Sequence, residues 1–351
     1  MQCNKNSPYF PCGFHIRAKI RENTYHFIIK GSTSFEKWGK FRKSLHKFRY
    51  VILMLLSPNK SEWSKLKMKK VGYFFYTFVP LLAVEAIQTI ALFFMMGMGM
   101  FGQGFVGKLA FPSANVSDRL EKTFTSVNFN MMIMVIYALI TIAIFGMWYY
   151  ARYEGNFLPS PKKTFNPMMI VAIVILVPGT QFAANFIANL TGYIRPDWLQ
   201  QYNKLFETSG ITDTTFVTVL YSVILAPICE ELIFRGVTMR CARKALPFAL
   251  ANLMQAALFG LFHLNWIQGI YAFALGIVLG YVCESGGSIY YSMGLHLLFN
   301  LWGTLSGFFP DPGNSVVVFV IVIAVTIISL VVGFVLFNKG RSKLPINSTG
   351  I

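Results

Sequence analysis

The sequence predicts an all-α fold, a polytopic transmembrane helix bundle of about eight spans. Three observations carry this. First, 55% of the 351 residues are hydrophobic and only 13% charged, against about a quarter charged in a soluble domain. Second, the apolar residues fall in blocks near the ~20 residues a helix needs to cross the hydrocarbon core. Third, Lys and Arg gather in alternate loops, as the positive-inside rule requires.

The elements follow in order. Residues 1–70 hold sixteen Lys or Arg against three Asp or Glu, a net +13. Such a tail suits anionic lipid, where each basic residue near the surface contributes about 1 kcal/mol. Nucleic-acid binding is the weaker reading, and no nucleic-acid partner is expected. "MKKVGYFF" at Met68 reads like a natural beginning, so residues 1–67 are expected to be either an extension or an overcalled start. Spans are then expected at 72–97, 131–150, 168–189, 214–239, 247–264, 266–283, 288–306 and 315–337. The division is a basic extension over 1–70, amino-terminal spans over 71–210, a core over 211–310, and a last span with a basic tail over 311–351. Arg152, Lys162 and Lys163, then Arg240, Arg243 and Lys244, then Lys339, Arg341 and Lys343 mark the inner loops. Both termini are expected in the cytoplasm, and the setting is a bacterial cell membrane, with lipid as the first partner.

Some residues punctuate the spans. Pro178 and Pro227 are expected to kink their helices, with other helices covering the freed backbone groups. Gly276 and Gly280 in "GIVLG" form a small-xxx-small packing pattern. The five cysteines are irregularly spaced, so neither a disulfide framework nor a zinc knuckle is expected. Cys229, beside a glutamate pair, reads as packing.

The polar residues of the carboxy-terminal half carry the chemistry. Within apolar helices lie Glu230 and Glu231, Arg235, His263, His296 and Asn300. A charge at a helix centre costs about 2.5–3.5 kcal/mol to insert, so such groups face a polar interior. Glu231 and Arg235 are four apart, on one helix face. Glu230 is turned away and is the freer carboxylate. Phe259 and His263 are four apart, as are His296 and Asn300. A carboxylate and an imidazole deprotonate water; an imidazole and an amide donate to an oxyanion. No serine or cysteine sits in a nucleophile elbow, and no HExxH pair occurs. Helix length raises one difficulty. His296 lies about 12 Å into its span and His263 about 24 Å into its own, so the fifth helix must start high or tilt if both are to meet Glu230.

"EELIFR", "FGLFH" and "HLLFN" resemble the motifs EExxxR, FxxxH and HxxxN/D of the CAAX-protease and bacteriocin-processing family (CPBP, or Abi). These are intramembrane endopeptidases described as metalloproteases or as glutamate enzymes. The resemblance covers roughly residues 212–306. It implies eight spans around a cavity opening to the cytosolic side. It implies that Glu230 activates water with help from His296, and that His263 and Asn300 stabilise the oxyanion. Glu231 and Arg235 would hold the site's shape, and Phe259 would pack. A peptide or membrane-anchored protein would be the substrate. A cofactor is not required in this reading; zinc held by Glu230, His263 and His296 is the alternative, since both residue types ligate it. Two competing functions use the same polar cavity: a transporter, and a non-catalytic immunity protein that binds a partner.

Overall fold

The computed structural model describes residues 70–110, 115–152, 166–209, 215–306 and 315–341. The basic extension and its supposed start at Met68 lie outside them. Met68–Ile351 forms one compact unit, and the described residues of that unit are helical throughout, with no strand among them.

Ten helical segments follow in order. α1 runs over Val71–Ala110, α2 over Val116–Phe124, α3 over Val127–Arg152 and α4 over Pro167–Ile194. α5 covers Pro196–Ser209, α6 Phe216–Arg243, α7 Phe248–Phe262, α8 Trp266–Gly286, α9 Ile289–Ser306 and α10 Val316–Arg341. α1, α3, α4, α6, α8 and α10 are long and apolar enough to cross a membrane. Every expected span has its helix. Two are weaker than expected. α7 has 15 residues, about 22 Å of helix, short of a ~30 Å hydrocarbon core. α9 has 18 residues, but His296, Asn300 and two tyrosines dilute its apolar character. Two of the three helices that carry site residues, α7 and α9, thus least resemble spans.

Two helices lie outside the expected spans. α2 begins on Asn115, whose side chain accepts from Ser117 N at 3.0 Å, an N-cap. Its Arg119 donates to Gly107 O at 2.7 Å and Gln103 O at 3.2 Å, satisfying carbonyls near the end of α1. α5 starts at Pro196 behind an exposed Arg195–Asp197 pair, 2.7 Å apart. The guanidinium holds the Asp197 carboxyl below the usual carboxylate range.

Packing explains the interruptions. α4 and α10 meet through small residues: a Cβ at Gly333 would stand 2.6 Å from Leu176, and one at Gly340 2.6 Å from Met169. Ser329 Oγ accepts from Gly179 N at 2.8 Å and donates to Ile175 O. These two backbone groups would pair with each other in an unbroken helix. A neighbouring hydroxyl therefore covers the backbone beside Pro178, as the sequence led one to expect. In α6, Pro227 is preceded by a π stretch over Leu220–Leu225, and a second covers Leu232–Thr238. Such stretches cluster at functional sites.

The "GIVLG" glycines pack as expected. A Cβ at Gly276 would lie 3.1 Å from Ala256, and one at Gly280 1.9 Å from Asn252 Oδ1. Only a residue without Cβ lets α7 lie this close to α8. Gln255 Nε2 donates to Gly276 O and to Asn252 Oδ1, both at 2.8 Å, and Asn252 donates to Ile277 O at 3.0 Å. Cys229, Cys241 and Cys283 are buried thiols, none of them in a disulfide, in keeping with a packing role.

Candidate active site

The glutamate pair lies between the two π stretches of α6. Glu231 and Arg235 are both fully buried and pair at 2.8 Å. That was the expected contact. Arg235 also donates to Gly276 O at 3.3 Å and lies 4.5 Å over the Phe259 ring. One guanidinium thus joins α6, α7 and α8. Its planar fork allows bonding in two directions while its face stacks on an aromatic ring.

His296 of α9 completes the group. Its Nδ1 stands 3.0 Å from Glu231 Oε1 and its Nε2 3.5 Å from Glu230 Oε2. The first contact is not legible in the sequence, because partners 65 positions apart share no periodicity. It has a chemical consequence. A carboxylate oxygen that already accepts from Arg235 accepts from Nδ1–H as well. That fixes the tautomer and turns the Nε2 lone pair toward Glu230. Glu230 is 13% exposed at its side chain, the more open of the two carboxylates, as its position on the helix suggested.

His263 and Asn300 stand further out. His263 caps α7, and its Nδ1 lies 2.8 Å from Phe259 O. A carbonyl only accepts, so Nδ1 carries the hydrogen. Nε2 then offers a donor only in the imidazolium form. The Phe259 ring stands edge-on to His263 at 5.0 Å and to His296 at 5.7 Å. One ring thus touches both imidazoles, so Phe259 does more than fill space: it packs against both histidines and carries Arg235 on its face. Asn300 donates to Ser222 O at 2.8 Å, a carbonyl in the first π stretch, and keeps its second amide hydrogen.

The sequence reading missed the tyrosines. Tyr137 of α3, Tyr221 of α6 and Tyr271 of α8 all lie within electrostatic reach of Glu230. They come from three helices, and a tyrosine in an apolar helix carries no sequence signal for such a place. Zinc is poorly matched by the arrangement. Among the described residues, no group of three or more His, Cys, Asp or Glu is placed to hold a metal ion.

The comparisons with known proteins bear on this segment. Residues 212–302 match the family model for type II CAAX prenyl endopeptidase, Rce1-like. No curated protein and no solved structure matches the chain. The match takes in the glutamate pair, both histidines and Asn300, and agrees with the family that the three motifs resemble. Over residues 212–302 the chain is thus similar to a family of type II CAAX prenyl endopeptidases.

Proposed function

We propose that the protein is an intramembrane endopeptidase that hydrolyses a peptide bond of a membrane-associated protein or peptide, with Glu230 and His296 activating a water molecule. The observation that carries this reading is the facing pair of Glu230 Oε2 and His296 Nε2, 3.5 Å apart, backed by Glu231 on the far nitrogen of the same ring.

The chemistry runs as follows. A water held by both groups gives a proton to Glu230 as its oxygen attacks the scissile carbonyl. Glu231 keeps His296 Nε2 free to accept the other water hydrogen. The proton on Glu230 then passes to the departing amine as the C–N bond breaks. His263, when protonated at Nε2, and the free amide hydrogen of Asn300 are donors for the oxyanion. One such donor is worth about 2.7–4 kcal/mol in other hydrolases. A carboxylate with an oriented imidazole needs no serine or cysteine nucleophile.

The test is direct. Glu230→Ala and His296→Ala each abolish cleavage while the protein still inserts and folds, as read by peptide products and by thermal unfolding in detergent. Full activity in either variant would remove the mechanism.

A further inference from the structure

α7 is apolar except for two amides, Asn252 and Gln255. They share a helix face with Phe259 and with His263 just past its end, at positions i, i+3, i+7 and i+11. Gln255 is fully buried and Asn252 nearly so. An amide in such a place is costly unless its hydrogens find acceptors. Both donate to α8 or to each other. Asn252 donates to Ile277 O at 3.0 Å, and Gln255 donates to Asn252 Oδ1 and to Gly276 O, both at 2.8 Å.

Gly276 O is also where the second arm of Arg235 rests, at 3.3 Å. Two side chains thus meet at one oxygen, and the amide holds it about 0.5 Å closer than the guanidinium does. Arg235 makes its short bond to Glu231, at 2.8 Å. The contacts then continue without a gap. Glu231 Oε1 stands 3.0 Å from His296 Nδ1, and His296 Nε2 stands 3.5 Å from Glu230 Oε2. The path runs from α7 to α8, α6 and α9, and returns to α6 at the catalytic carboxylate. Its first two side chains are matched in character too. Arg235 Nε, a donor, and Gln255 Oε1, an acceptor, are both buried with no hydrogen-bond partner among the described residues.

Building on the peptidase reading, we propose that Gln255, held by Asn252, is a positioning residue: by occupying Gly276 O it keeps the Arg235 fork on Glu231, and through Glu231 it holds the ring of His296 against Glu230.

Without the amide, Gly276 O is left to Arg235 alone. The guanidinium closes on it and draws away from Glu231, and the imidazole loses the carboxylate geometry that orients it. Shifts of this order matter at a reacting centre, where misplacement by about 1 Å can cost about 100-fold in rate. The competing role is interhelical glue, which Asn and Gln supply in many membrane helices. Glue removed lowers stability but leaves each folded molecule its full activity.

The test uses the full-length protein in detergent. A peptide sequence that membranes with the parent protein cleave, and membranes with Glu230→Gln do not, is synthesised as the substrate. With it, kcat per folded molecule and KM are measured beside the unfolding temperature. Gln255→Met keeps the length of the side chain and removes its amide. Gln255→Glu keeps the shape and puts beside Arg235 a carboxylate that competes with Glu231. The expected result is a kcat lower by about 10-fold in Gln255→Met and lower still in Gln255→Glu, with KM within about twofold of the parent value. Ser329→Ala, which removes a bond between α4 and α10 remote from the glutamate pair, is the control for glue. It lowers the unfolding temperature and leaves kcat and KM as they are. Gln255 variants that behave like this control overturn the proposal and leave the peptidase reading standing. A parent protein with no Glu230-dependent cleavage overturns both.

Discussion

Glu231 accepts from donors on two helices, Arg235 and His296, whereas its neighbour Glu230 faces the far nitrogen of that histidine at 3.5 Å. Two adjacent carboxylates so placed have different sensitivities. Breaking a buried ion pair by removing one partner costs about 3–5 kcal/mol, because the other charge stays buried. Glu231→Ala is therefore expected to lower thermal stability sharply as well as activity, while Glu230→Ala leaves the unfolding temperature near that of the parent. A scan showing equal destabilisation would contradict this division. Arg235→Lys is expected to fail as a rescue, since an ammonium cannot serve Glu231, Gly276 O and the Phe259 face together. The i, i+4 pairing was legible in the sequence, since helix geometry alone determines it. The Glu231–His296 bond was not, since only tertiary packing brings α9 to α6.

At the scale of elements, two close approaches decide whether the core assembles. A Cβ at Gly280 would meet Asn252 Oδ1 at 1.9 Å, so Gly280→Ala forces the amide away from Ile277 O and Gln255. Overpacking of this kind costs about 1–3 kcal/mol, and a lower unfolding temperature in detergent checks it. Gly102→Ala is the control, because nothing lies within 4 Å of a Cβ there. Removing the Ser329 hydroxyl leaves Gly179 N and Ile175 O without their bridge. Ser329→Ala should then cost about 1–3 kcal/mol, although α10 is among the most exposed helices of the bundle. The glycine pattern of α8 was visible in the sequence with its consequence, as was the cover that a neighbouring helix gives the backbone beside Pro178. The π stretches of α6 were not, because a change of helical register leaves no mark on an unbroken apolar run.

For the whole molecule, the sequence foresaw eight spans and the helices fall where it placed them, to within about five residues except at the far end of α1, which runs on to Ala110. The exceptions in strength are α7, shortened so that His263 ends it, and α9, diluted by His296 and Asn300. Chemistry at these positions is what weakens the hydropathy signal. If α9 still crosses, cysteines placed at Tyr290 and Leu305 are labelled from opposite sides of the membrane; labelling from one side would reduce the number of crossings. The small helices α2 and α5 escaped the sequence reading because an amphipathic surface helix has neither the length nor the apolarity that marks a span. The central claim is hydrolysis by a water that Glu230 and His296 hold together. Its most direct measurement is mass spectrometry of peptides released from membranes containing the parent protein, Glu230→Gln or His296→Ala at equal abundance. The account predicts products with the parent protein alone. The same products from Glu230→Gln would contradict it.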